Sequence, residues 1–121
     1  LYDEIAAALA ALPEIDGTRL HRTVDRLASA AETERLDLYL ALLLGLIERL
    51  IRFTAMGEGV TQVEQRLAKR LISPANLAFW AEAWEAISEA RGETFALNLD
   101  RSLLVLETWF RLQSVAREHP V

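Results

Sequence analysis

The chain has 121 residues, 52% of them hydrophobic and 26% charged, which is too apolar for a disordered segment and too evenly charged for a membrane protein. It contains no cysteine, so it holds no disulfide, no thiolate metal site and no cysteine nucleophile. Eighteen acidic against 13 basic residues leave a net charge of −5, so a phosphate-binding surface would need a local basic patch, and none is visible in the sequence.

Residues 2–12 place Ile5, Leu9 and Leu12 at helical spacing among alanines, with Asp3 and Glu4 in the first turn, where the helix dipole favours acids; Pro13 ends this helix. Asp16 and Thr18 offer N-cap oxygens to a second helix, in which Leu20, Val24, Leu27 and Ala31 recur on one side and Arg19, Arg22, Asp25 and Arg26 take the other. Thr33 is the expected cap of a third helix running to about Met56. Leu36, Leu40, Leu43, Ile47, Leu50 and Ile51 form one stripe along it, and Leu38, Leu42 and Leu46 extend that stripe around the helix. Roughly 22 residues at about 1.5 Å each make it long enough to serve as the central element. Its most apolar run, 38–47, spans only about 15 Å against the roughly 30 Å of a bilayer core, so it predicts a buried helix and not a membrane span.

Gly57 and Gly59 break the pattern. Thr61 opens a shorter fourth helix with Val63, Leu67 and Leu71 on the inner side and Glu64, Arg66, Lys69 and Arg70 elsewhere, ended by Ser73-Pro74. The fifth helix, about 75–91, sets Leu77, Trp80, Trp84 and Ile87 on one face and Glu82, Glu85 and Glu89 on another, and Gly92 is the expected stop. Asn98 or Asp100 caps a last helix to about Glu118, with Leu99, Leu103, Leu106 and Phe110 expected inward and Val105, Trp109, Leu112 and Ala116 as a second apolar row. No stretch alternates with period two, and the linkers are short. The reading is all-α: a single compact bundle of about six helices occupying 1–121.

Catalytic residues do not emerge. His21 and His119 read as surface side chains outside any metal-ligand set. Glu82, Glu85 and Glu89 share a face as di-iron bundles require, yet the Glu-x-x-His element of partner helices is missing. The glycines at 57 and 59 precede no Gly-Lys-Ser/Thr, and no serine sits in a nucleophile elbow. Trp80, Trp84 and Trp109 lie in Leu/Ala stripes and read as core. The expectation is a chain with no catalytic, metal or cofactor-binding residue of its own that works by packing against other subunits. Leu1 in place of methionine, followed by Asp3 and Glu4, fits no basic signal peptide and reads as a piece of a longer, cytoplasmic protein.

From Trp80 the sequence runs WAEAWEAISEARGETFALNLDRSLLVLETWFRL, and Ala96-Leu97-Asn98-Leu99-Asp100-Arg101 at the opening of the last helix resembles the end of the delta-prime subunits of bacterial DNA polymerase III clamp loaders. Leu12-Pro13-Glu14-Ile15-Asp16-Gly17, followed by Leu20-His21 and Asp25-Arg26-Leu27-Ala28, looks like the linker and second helix of the same C-terminal domain, notably in its alphaproteobacterial forms. The resemblance covers nearly the whole chain. It departs at Ser102 and Leu103, where family members often carry Lys-Gln.

The resemblance implies a clamp-loader collar-like domain, the helical module that joins subunits into a pentameric ring beneath their AAA+ modules in DNA replication. It implies contact with the C-terminal domains of the motor (tau/gamma) and delta subunits, no cofactor, and neither nucleic acid nor membrane bound by this domain. The nucleotide-like and zinc-bearing modules of such a subunit lie upstream. Asn98, Asp100 and Arg101 are then candidates for capping or partner contact, and Trp109 and Leu112 for the interface. The alternative is an all-helical small-molecule-binding domain, such as a transcriptional repressor effector domain, with tryptophans lining a cavity of several hundred cubic ångströms between the third and last helices.

Overall fold

The helix of greatest length and apolarity organises the rest. In the computed structural model, which describes residues 1–121 apart from the side chain of Ala30, six helices follow in order: α1 (Tyr2–Ala11), α2 (Gly17–Leu27), α3 (Thr33–Met56), α4 (Gln62–Leu71), α5 (Leu77–Leu97) and α6 (Arg101–Glu118). A 3₁₀ turn at Ala30–Glu32 leads into α3, and no strand occurs among the described residues. Buried side chains on α3 include Leu36, Tyr39, Leu40, Leu43, Leu46, Ile47 and Leu50, which cover more than one helical face. Accordingly α3 packs against α5, α4, α1 and α2, while α6 closes the bundle against α5 and α2. Among the described residues, no helix is long and apolar enough to cross a membrane.

Local chemistry sets the helix ends. Asp16 accepts from the backbone N–H groups of Thr18 (3.0 Å) and Arg19 (3.2 Å) at the start of α2, and the Thr61 hydroxyl accepts from the Glu64 N–H (3.2 Å) at the start of α4. Thr33 is the first residue of α3 and not its cap; that place is taken by Glu32. Gly57 ends α3 with φ +78°, a left-handed conformation that costs glycine nothing sterically. The Leu12–Pro13 peptide after α1 is cis. α1 has no basic residue in its last turn. Its free carbonyls are met from elsewhere: Arg70 donates to the carbonyls of Ala10 (2.6 Å) and Leu12 (3.3 Å), and Gln113 to that of Pro13 (3.0 Å).

Two expectations about helices fail here. α5 does not stop at Gly92 but continues to Leu97, because the glycine lies on an exposed face where it costs only about 1 kcal/mol, while Ile87, Thr94 and Phe95 still pack on either side of it. α4 is rotated from the expected orientation: Val63 is exposed, and Glu64 is buried alongside Leu67, Ala68 and Leu71. The carboxylate is tolerated there because Arg49 donates Nε to Oε1 (3.0 Å) and Tyr2 donates its hydroxyl to Oε2 (2.6 Å). Burial alone would raise the Glu64 carboxyl's pKa, yet the hydrogen bonds from Arg49 and Tyr2 hold it below the ordinary carboxylate value.

The tryptophans join helices as expected of core residues. Trp84 donates its indole N–H to the Leu44 carbonyl (2.9 Å), and Trp109 donates to the Tyr39 hydroxyl (3.0 Å), tying α5 and α6 to α3. Trp80 is fully buried, with no hydrogen-bond partner for its N–H. His21 is exposed beside Asp25 (3.6 Å). His119 is tied down: its ring stacks on Phe79 at 3.5 Å and its carbonyl accepts from Asn76 (2.7 Å).

Candidate functional site

The turn between α5 and α6 brings Asn98, Asp100 and Arg101 together and assigns each a task. Asn98 ends α5 in the left-handed region (φ 53°), one of the few non-glycine types that adopt it readily. The Leu99 N–H then closes onto the Thr94 carbonyl (3.0 Å), satisfying an end group of α5. Asp100, not Asn98, caps α6 by accepting from the N–H groups of Ser102 (2.9 Å) and Leu103 (3.3 Å). Arg101 donates to the Asn98 side-chain oxygen (3.3 Å) and lies 5.9 Å from the Phe95 ring centroid. The motif thus locks the turn and aims α6.

α6 turns one of its two apolar rows inward, against α5 and α2. Leu104, Val105, Thr108, Trp109 and Leu112 are buried. Trp109 and Leu112, the interface candidates, are 3% and 0% exposed, so they belong to the core and offer no surface to a partner. The other row, expected inward, is the one left outside: Leu99, Leu103 and Phe110 are each close to half exposed, with Leu106 half-buried between them. Spacings of three and four residues keep Leu103, Leu106 and Phe110 on one face of α6, and Leu99 stands in the turn just before it. Leu97, at the end of α5, adds a further 66%-exposed side chain beside the turn. Glu107 and Arg111, both exposed, each follow a stripe residue by one position. The result is a continuous apolar row with charged neighbours, positioned by the capped turn at one end and by the Trp109–Tyr39 hydrogen bond along its buried side.

Elsewhere the surface offers less. Among the described residues, no group of three or more His, Cys, Asp or Glu side chains could hold a metal ion, and Glu82, Glu85 and Glu89 face solvent. A hollow of about 130 Å³ lies where α1 and α2 meet over Tyr39 of α3 and Trp109 of α6. It is smaller than the several hundred cubic ångströms expected of a small-molecule effector domain. Burial pushes the Tyr39 hydroxyl up to about 12, against the lowering effect of the bond from Trp109. Sequence reasoning had no means of finding this hollow, because its lining comes from four helices and the linker between α1 and α2. The chain matches no protein-family model, no curated protein and no solved structure.

Proposed function

We propose that this chain is a subunit-assembly domain, and that the machine it serves is the DNA polymerase III clamp loader, in whose collar it would hold its place beside the motor and delta subunits in the cytoplasm. The observation that carries the assembly reading is the uncovered row Leu103, Leu106 and Phe110 on α6, continued into the preceding turn by Leu99. Its helical part, Leu103 to Phe110, runs for about 10 Å along α6. A monomer has no use for a continuous apolar row on a helix whose opposite face already fills the core, whereas a partner helix does. The resemblance of the segments around Asn98-Leu99-Asp100-Arg101 and Leu12-Pro13 supplies the choice of machine.

Magnitude supports a shared interface over a pairwise one. Full burial of a Leu or Phe side chain contributes about 1.5–3 kcal/mol, so four half-covered side chains hold roughly 3–6 kcal/mol in reserve. That is a modest contribution beside the roughly 800 Å² each partner buries in a standard interface, and it suits a ring in which each subunit is also held by its neighbours. The test is light scattering on the chain alone and mixed with the C-terminal domain of the motor subunit from the same organism. A mixed species of defined mass is expected, and it is lost when Leu103→Glu and Phe110→Glu are combined, while the variant's unfolding free energy stays within about 0.5 kcal/mol. Two unchanged peaks at high micromolar concentration would refute the clamp-loader assignment.

A further inference from the structure

We propose that the hollow between α1 and α2 binds one aromatic ring bearing an oxygen at its inner end and an amine at its outer end, that is, a small hydroxyaryl-alkylamine. The site stands apart from the assembly surface and does not depend on that reading.

Size selects a single ring. An apolar cavity of about 150 Å³ is known to take one benzene, and this hollow measures about 130 Å³. Ala8, Ala11, Ile15 and Leu20 make its walls, and Tyr39 and Trp109 its floor, an apolar and aromatic lining suited to a ring. Two buried hydroxyls line the hollow, those of Thr23 and Tyr39, and Thr23 gives its proton chiefly to the Arg19 carbonyl (3.0 Å). The Tyr39 hydroxyl, 2% exposed, accepts from Trp109 at 3.0 Å, but its own proton goes to no acceptor among the described residues. Since its pKa is pushed to about 12, it keeps that proton throughout the physiological range and has a hydrogen bond left to give. Tyr39 lines the hollow, so an oxygen on a ring seated there completes it.

The outer end is acidic. Glu4, Glu14 and Asp16 stand at the rim against the single cation Arg19. Two of the three carboxylates are engaged: Glu4 accepts from Arg26 (2.7 Å) and Thr23 (3.5 Å), and Asp16 caps α2 and lies 3.6 Å from Arg19. Glu14 forms no ion pair among the described residues, which leaves one carboxylate for an ammonium group.

The experiment is a titration of the ¹⁵N-labelled chain with tyramine, phenethylamine and p-cresol, reading the indole N–H resonance of Trp109, assigned by its loss in Trp109→Phe. Tyramine is expected to shift that resonance saturably at low millimolar concentration or below. It should bind about fivefold more tightly than either analogue, the ratio that one hydrogen bond of about 1 kcal/mol produces. Tyr39→Phe should remove the preference over phenethylamine, Glu14→Gln the preference over p-cresol, and Ala8→Leu all three interactions by filling the hollow. Ala11→Leu is the plug to use if circular dichroism shows Ala8→Leu to be unfolded. No saturable shift up to 20 mM tyramine, a shift that survives the folded plug, or a ligand order indifferent to Tyr39→Phe would each overturn the proposal.

Discussion

Removing the guanidinium of Arg49 leaves Glu64 as a carboxylate with 6% side-chain exposure and only the Tyr2 hydroxyl to compensate it. Breaking a fully buried pair from one side costs about 3–5 kcal/mol. Arg49 itself is 39% exposed, so water already shares its charge and the pair is worth less than that limit. Arg49→Ala is therefore expected to cost about 2 kcal/mol at pH 7, in line with charged hydrogen bonds. With an unfolding entropy of about 2.1 cal/mol/K per residue, this lowers Tm by about 8 °C. The pH dependence gives the sharper check. The folded Glu64 carboxyl lies below the ordinary carboxylate value of 4.5, so its stabilisation is complete above that value and disappears as pH falls through the folded pKa. The gap between parent and variant should accordingly narrow between pH 5 and pH 2, measured by urea unfolding followed by circular dichroism at several pH values. Arg52→Ala is the control, because its pair with Glu48 is half exposed on both sides and should cost less than about 0.5 kcal/mol. A gap below 0.5 kcal/mol for Arg49→Ala at pH 7, or one unchanged down to pH 2, would refute this account of the buried carboxylate.

Two further substitutions test the helix assignments. Gly92→Ala should raise stability by about 0.5–1 kcal/mol in the same unfolding assay, since α5 passes through it and a Cβ there would meet nothing within 4 Å; a loss of stability would mean that α5 ends there after all. Asp100→Ala should cost about 1 kcal/mol and speed amide exchange at Ser102 and Leu103, the two N–H groups it accepts from, whereas Asn98→Gly should be close to neutral at its positive φ.

Helix order was legible because each helix carries its own punctuation: Pro13, Asp16, Gly57, Thr61, Ser73-Pro74 and Asp100 all stand at or next to helix ends. The orientation of a helix carries no such mark. α4 buries positions 64, 67, 68 and 71, the ideal spacing of one helical face, but a glutamate at the first of them hides the pattern. Its counter-charge lies on α3, and Tyr2 comes from 62 residues earlier. Likewise α6 bears two apolar rows of equal quality in sequence, and only the positions of α5 and α2 decide which is covered. The exposed row was therefore visible as residues but assigned to the wrong side, and Trp109 and Leu112 to the surface. Gly92 misled for the opposite reason: a strong local signal was overruled by packing on both sides of it.

The three hydrogen bonds that finish α1 also set a schedule. Ten residues of helix are marginal in isolation, and the donors that meet its last carbonyls lie 60 and 58 residues downstream at Arg70, while the donor to Pro13 lies 100 residues downstream at Gln113. At a ribosomal rate of about 5–20 residues per second, Gln113 is joined to the chain some 5–20 s after Pro13. α1 is thus made before the donors that meet its last carbonyls, and the turn that follows it waits for Gln113 of α6.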